Sequence, residues 1–234
     1  MGAGRRGRFI TFEGPDGSGK STQVRYLAGA LRKRGLEVVE TFEPGGTSLG
    51  RYLRQVLLGP EGSREGAPAL EAQPAGVEPG PMAEMLLLAA DRAQHVEELI
   101  RPALERGSWV ICDRYIDSSV AYQGYGNNLG ADRVLQVNLW ATGGLLPDVT
   151  FLLDPGPEGP LAGWPEPGGP HPPDRIEDRG RAYWQRVREA YLHLWRASPG
   201  RIRRIEAAGK SPEQVAREVL DHLEQGGFFE EGGV

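Results

Sequence analysis

Cysteine is nearly absent. Cys112 is the one thiol in 234 residues, which excludes an intramolecular disulfide and a cysteine-rich metal site. Its setting, Trp109-Val110-Ile111-Cys112, is that of a buried strand rather than of a nucleophile. Lysine is scarce too: only Lys20, Lys33 and Lys210 occur, so nearly all of the 27 cations are arginine. Arginine suits bidentate contact with phosphate and carboxylate, although abundant surface arginine also follows genome composition. A basic excess is missing, since the net charge is −5, and no global field draws the chain to nucleic acid or membrane. No apolar run approaches the roughly 20 residues that cross a bilayer. The basic, glycine-rich start, Met1–Arg8, has no apolar signal core behind it. These absences predict a soluble cytoplasmic protein with no nucleic-acid or membrane partner.

Glycine and proline, in contrast, are plentiful at 34 and 19, nearly a quarter of the chain and close to the proportion that suggests low complexity. The hydrophobic share of 39% and the charged share of 25% are nevertheless those of a folded domain. The excess is concentrated: Gly59–Pro81 holds 10 of these residues and Pro155–Pro173 holds 13. The chain therefore reads as one compact domain over residues 1–234 with two irregular inserts, the first of them expected to be disordered or loosely packed.

Between the inserts, short apolar runs alternate with helical spacing. Strands are predicted over Arg8–Glu13, Leu36–Thr41, Trp109–Cys112, Asp148–Asp154 and Arg201–Glu206. Helices are predicted over Lys20–Arg34, Leu49–Leu58, Met82–Arg106 with a break near Pro102, Ser118–Gln123, Asp132–Thr142, Arg179–Ala197 and Ser211–Gln225. The last of these opens on Ser211-Pro212-Glu213-Gln214, with serine at N-cap, proline at N1 and glutamine at N3. Five short strands alternating with helices predict an α/β fold, a parallel sheet covered on both faces.

Chemistry enters at Gly14-Pro15-Asp16-Gly17-Ser18-Gly19-Lys20-Ser21, a full G-x-x-x-x-G-K-[ST] match between a strand and an amphipathic helix. The glycines let backbone N–H groups close on phosphate oxygens, and the helix N-terminus adds partial positive charge. Lys20 reaches the β- and γ-phosphates of ATP, and the Ser21 hydroxyl holds Mg²⁺. The guanine-reading tetrapeptide Asn-Lys-x-Asp does not occur, which counts against a GTPase. Asp113 follows an apolar strand, where a magnesium-side carboxylate belongs. Arg114 beside it is suited to bridge donor and acceptor phosphates; the plain alternative is a surface ion pair. Ser119 and Gln123 are spaced i, i+4 and share a helix face, and a glutamine amide both donates and accepts.

The segment Thr11-Phe12-Glu13-Gly14-Pro15-Asp16-Gly17-Ser18-Gly19-Lys20-Ser21-Thr22-Gln23 resembles the start of thymidylate kinases. Four further blocks resemble that family in order: Glu43-Pro44-Gly45-Gly46-Thr47, Ala90–His95, the long run Asp113–Gly126, and Asp174-Arg175-Ile176-Glu177. The resemblance spans about residues 8–225 outside the inserts. It implies the P-loop nucleoside-monophosphate-kinase fold, the reaction ATP + dTMP → ADP + dTDP, Mg²⁺, and a homodimer. It further implies that Arg54 holds the dTMP phosphate, that Arg92 faces the thymine, that Ser119 and Gln123 meet its imide edge, and that Asp16 approaches the sugar and acceptor side. Glu43-Pro44 matches the family's turn with a cis peptide, whereas trans is the default for the sequence taken alone. Tyr122 and Tyr125 either close over the sugar or pack in the core.

Three departures stand out. Phe42 precedes Glu43-Pro44 where relatives often carry arginine. Leu88 stands where an aromatic ring usually stacks on the base. The P-loop has no arginine, and between Asp154 and Asp174, where the family's lid lies (about 155–178), there is no lysine or arginine either. Arg175 or Arg179 is the substitute cation, and Glu177 is a partner for it. Two rival readings follow: another nucleoside monophosphate kinase, or a catalytically weak nucleotide-binding module.

Overall fold

A computed structural model of the chain describes residues 7–59, 78–157 and 179–230. The strands are β1 (Phe9–Glu13), β2 (Val38–Phe42), β3 (Trp109–Asp113), β4 (Val149–Asp154) and β5 (Ile202–Glu206). All pair in parallel in the order β2-β3-β1-β4-β5. The three inner strands are buried along their whole length, as a sheet covered on both faces requires.

Alternation along the strands divides the core. Ile10, Phe12, Trp109 and Ile111 face α1 (Lys20–Lys33) and the C-terminal helix α8 (Pro212–Gln225). Phe9, Val110 and Cys112 face the opposite layer. That layer holds α3 (Pro81–His95), α4 (Arg101–Glu105), α5 (Ile116–Ser119), α6 (Ala131–Ala141) and α7 (Arg181–Ala197), while α2 (Ser48–Leu58) packs beside α3. Cys112 is a buried strand thiol, as its sequence setting predicts, and burial pushes its pKa up. Ser211 caps α8 with both halves of the predicted capping box in place.

Two predicted helices differ in detail. The run from Met82 to Arg106 passes through a π-helical turn, Val96–Ile100, immediately before Pro102, which has no N–H to give the preceding turn. The segment around Ser118–Gln123 is longer than predicted: α5 widens into a second π-helical turn, Val120–Gly126. Much of both Gly/Pro-rich inserts, residues 60–77 and 158–178, lies outside the described residues, as do Arg175 and Glu177.

Candidate functional site

The loop from Gly14 to Gly19 joins β1 to α1 at the C-terminal edge of the sheet. Gly14 sits at φ 140°, and a Cβ there would lie 2.5 Å from the Leu153 carbonyl oxygen of β4, so only glycine passes. α1 then begins with no capping side chain and no acidic residue in its first turn. Its orphan N–H groups face the loop's concavity, which is the arrangement that binds anions. Lys20 is buried and folds back, donating to the Pro15 carbonyl at 2.7 Å. Burial, and after it the charge of Arg114, lowers its pKa to about 8.

Ser21 and Asp113 meet at the mouth of this cradle, where the Ser21 hydroxyl donates to the Asp113 carboxylate. Hydroxyl and carboxylate oxygens are hard donors of the kind Mg²⁺ takes alongside phosphate, so the pair fits that ion.

Arg114, the next residue, has φ 72°, a left-handed conformation costing a non-glycine residue roughly 1–3 kcal/mol. Neighbours hold it there: its N–H donates to Phe12 O at 2.9 Å, and the following N–H, of Tyr115, donates to Glu13 Oε1 at 2.7 Å. The guanidinium pairs with Asp16 and donates to Gly14 O at 3.2 Å, Ser118 Oγ at 3.0 Å and the Tyr122 hydroxyl at 3.2 Å. Burial alone would raise the Asp16 carboxyl; Arg114 and then Lys20 outweigh it and hold it below its ordinary value.

A second cleft adjoins the cradle. Asp16, Glu43, Arg54 and Arg114 line both cavities, so they form a shared wall. Beyond that wall the cleft is lined by Pro44, Leu58, Leu88, Arg92, Ser118, Ser119, Tyr122 and Gln123. Every acceptor-side residue named from the sequence is in this lining: Glu43, Pro44, Arg54, Leu88, Arg92, Arg114, Ser119 and Gln123. On the other side of the wall, Gly17, Gly19, Lys20, Ser21, Thr22 and Asp113 line the cradle.

The structure settles several details that the sequence leaves open. The Glu43–Pro44 peptide is cis, as the family resemblance implies and against the default for the sequence alone. Arg92 is not committed to the cleft: it donates to Glu43 Oε2 at 2.7 Å, Ser119 Oγ at 3.0 Å, Asn138 Oδ1 and Tyr115 O at 3.0 Å. A guanidinium that is 2% exposed needs such partners, and four of its five N–H groups are taken. The neighbouring carboxylate, Asp91, is turned to the backbone instead, where its Oδ1 accepts the Gly45 N–H at 3.1 Å. Arg179 is occupied as well, in an ion pair with buried Glu84 and hydrogen bonds to Asn127 at 2.8 Å and Tyr183 at 3.0 Å.

Tyr122 and Tyr125 divide the two alternatives between them. Tyr122 lines the cleft and donates to Asp16 Oδ2 at 3.1 Å, whereas Tyr125 packs against His193. Phe42 lies under Arg54, its ring centroid 5.9 Å from the guanidinium carbon, and Arg54 donates to Pro44 O at 2.9 Å. Arg51 hydrogen-bonds Ser48 on its own helix. Leu88 joins Leu58 in an apolar cluster, giving the cleft a wall where a ring was expected.

The sequence assigns no individual role to several side chains here. His95 bridges Thr41 Oγ1 at 2.6 Å and Glu43 Oε1 at 2.9 Å. Gly46 packs so closely on it that a Cβ would approach His95 Nε2 to 2.5 Å. Glu13, Tyr191, Asn138 and Glu84 give no local signal of their roles either, because each acts from a distant element through a long-range hydrogen bond. The i, i+4 signal did find Ser119 and Gln123, and both line the cleft despite the π-helical turn.

The family model described as thymidylate kinase matches residues 12–219. A thymidylate kinase of Exiguobacterium sp. is 47% identical over 225 residues, covering 94% of this chain and 98% of that relative. One of Bifidobacterium longum is 48% identical over 202 residues, covering 86% and 90%. The crystal structure of thymidylate kinase from Ehrlichia chaffeensis superposes with a TM-score of 0.69 at 31% identity, covering 94% of this chain and 99% of that one.

Proposed function

The chain belongs to the thymidylate kinase family, and from that premise we propose how its residues divide the transfer of the ATP γ-phosphate to dTMP. It has the P-loop nucleoside-monophosphate-kinase fold and phosphorylates dTMP to dTDP. The observation that carries the division of labour is the shared wall: Arg114, Arg54 and Asp16 face both cavities, so the two phosphate groups meet there.

ATP lies with its phosphates in the Gly14–Thr22 cradle, under the uncapped N-terminus of α1. Ser21 and Asp113 hold Mg²⁺, which when bound with ATP neutralises phosphate charge. dTMP occupies the adjoining cleft with its phosphate on Arg54. Its sugar lies toward Asp16 and Tyr122, and its base between Leu88, Arg92, Ser119 and Gln123. The acceptor oxygen is already ionised, so the in-line attack needs positioning and charge stabilisation rather than a strong base. Arg114 stabilises the phosphoryl group in transfer, and Lys20 swings from Pro15 O to the β- and γ-phosphates. With Arg179 held by Glu84, the further cation that the resemblance implies falls to Arg175.

We place the protein in the cytoplasm as a homodimer. The described residues include no helix long and apolar enough to cross a membrane. Exposed apolar side chains gather on three helices packed side by side: Leu49 and Tyr52 on α2, Met82 and Leu86 on α3, and Trp140, 87% exposed, on α6. A second copy covers that face.

A coupled ADP-release assay across dTMP, dUMP, CMP, AMP and GMP tests the function. Turnover should be highest with dTMP; a maximum with AMP, or none with any acceptor, overturns the reading.

A further inference from the structure

Glu84 carries no motif, yet its side chain is completely buried. It rises from the first turn of α3, and three side chains converge on it. Gln123 Nε2 donates to its Oε1 at 3.0 Å, Asn127 Nδ2 donates to the same oxygen at 3.1 Å, and Arg179 closes an ion pair on Oε2. A carboxylate paired with arginine offers acceptors only. Whatever amide faces it must present nitrogen.

This fixes the Gln123 amide. With Nε2 held by Glu84, Oε1 is the end left over. That oxygen is buried and has no partner among the described residues, on a residue that lines the acceptor cleft. A buried acceptor without a donor is costly until a ligand supplies one.

We infer that Glu84 is a positioning residue that makes this cleft select an imide pyrimidine, thymine or uracil, over cytosine, by locking the Gln123 amide with its oxygen toward the base. The inference rests on reading the cleft as the dTMP site. Thymine and uracil present an N3–H donor beside a carbonyl. Gln123 Oε1 accepts that N3–H, and the second Nε2 hydrogen is left for the carbonyl. Cytosine presents an unprotonated N3 and a 4-amino group, which call for the opposite amide orientation. An unanchored glutamine would flip and read either base. Here a flip would set the amide oxygen against the Glu84 carboxylate and lose a charge-assisted hydrogen bond. Discrimination of this kind works by making the wrong orientation repulsive.

The test compares kcat/KM for dTMP, dUMP and dCMP in the wild type, Glu84→Gln, Gln123→Leu and the double variant. Glutamine at 84 keeps the shape and an oxygen for Arg179 but accepts either amide orientation. The dTMP/dCMP ratio should fall about tenfold or more in Glu84→Gln, within the reach of one bidentate base contact. The dTMP/dUMP ratio should hold, because the 5-methyl group is read elsewhere. The change should vanish in the Gln123→Leu background. A folded Glu84→Gln with an unchanged dTMP/dCMP ratio overturns the inference, as does an equal fall with Leu at 123. A wild type inactive on dTMP overturns the functional reading instead. If Glu84→Gln does not fold, NMR of the wild-type Gln123 side-chain amide, assigned by its loss in Gln123→Leu, decides. One amide proton should be protected from solvent exchange; two fast-exchanging protons overturn the inference.

Discussion

Replacing Glu13 by glutamine probes the charge buried beneath the phosphate cradle. Glu13 ends β1 with no exposure to solvent. Its Oε1 accepts the Tyr115 N–H at 2.7 Å, and its Oε2 accepts the hydroxyls of Ser118 at 2.5 Å and Tyr191 at 3.1 Å. Burial, followed by the charge of Asp117, pushes the carboxyl up from 4.5 to about 7. The folded protein therefore holds a proton that the unfolded chain releases. The stability this contributes is fully present below 4.5 and lost as the pH rises to about 7. At about 1.36 kcal/mol per pH unit, the ionised form above pH 7 costs about 3 kcal/mol. Glutamine has the same shape and never ionises. Its oxygen can still accept from Tyr115, and its amide can donate to the two hydroxyls, which are free to turn. Urea unfolding of both proteins from pH 4.5 to 9 isolates the effect, since the other titrating groups cancel in the difference. The variant should gain about 3 kcal/mol on the wild type between pH 4.5 and 7.5 and then level off, a midpoint shift of about 1 M urea or more. A difference that stays constant through that window would refute the reasoning.

Three further outcomes are expected. Arg114→Ala should lower kcat about 10³-fold or more, the scale of an arginine that stabilises a phosphoryl transition state, and a loss confined to KM would contradict the role. Leu88→Phe should restore a stacking surface and tighten dTMP binding by about 1 kcal/mol, measured by titration calorimetry without ATP; unchanged affinity would mean the base does not lie on that wall. Trp140→Glu should shift sedimentation toward the monomer while leaving the circular dichroism spectrum intact, and an unshifted dimer would assign the interface to another face.

Much of this was legible along the chain because it is local. The P-loop, the strand-ending Asp113-Arg114 pair and the capping box at Ser211 each rest on residues a few positions apart; the first two line one cavity and the cap is formed. The three inner strands announce themselves as short apolar runs, whereas β5 keeps only Ile202 and Ile205 among charges. The networks that orient the site do not announce themselves. Glu84 meets Gln123 across 39 positions, Arg92 meets Asn138 across 46, and Glu13 meets Tyr191 across 178. Such pairings depend on how helices stack, which no window of sequence records. Arg92 shows the consequence: its place in the cleft followed from the resemblance, but its engagement by Glu43, Ser119, Asn138 and Tyr115 appears only once the elements that carry them meet. The π-helical turns after His95 and Ser119 are equally silent, since an extra residue in a turn leaves the apolar spacing almost intact.

The single thiol has a practical use. Cys112 has no exposure, its pKa is raised, and its sulfur donates to the Arg114 carbonyl at 3.0 Å. A thiol reagent can therefore reach it only when the middle of the sheet comes apart, so its labelling rate counts opening events one molecule at a time. Nucleotides that bind only the closed form slow that clock in proportion to their occupancy. The chain thus carries its own reporter, at the strand end beside Asp113 and Arg114, from which the affinities of donor and acceptor can be read separately and without turnover.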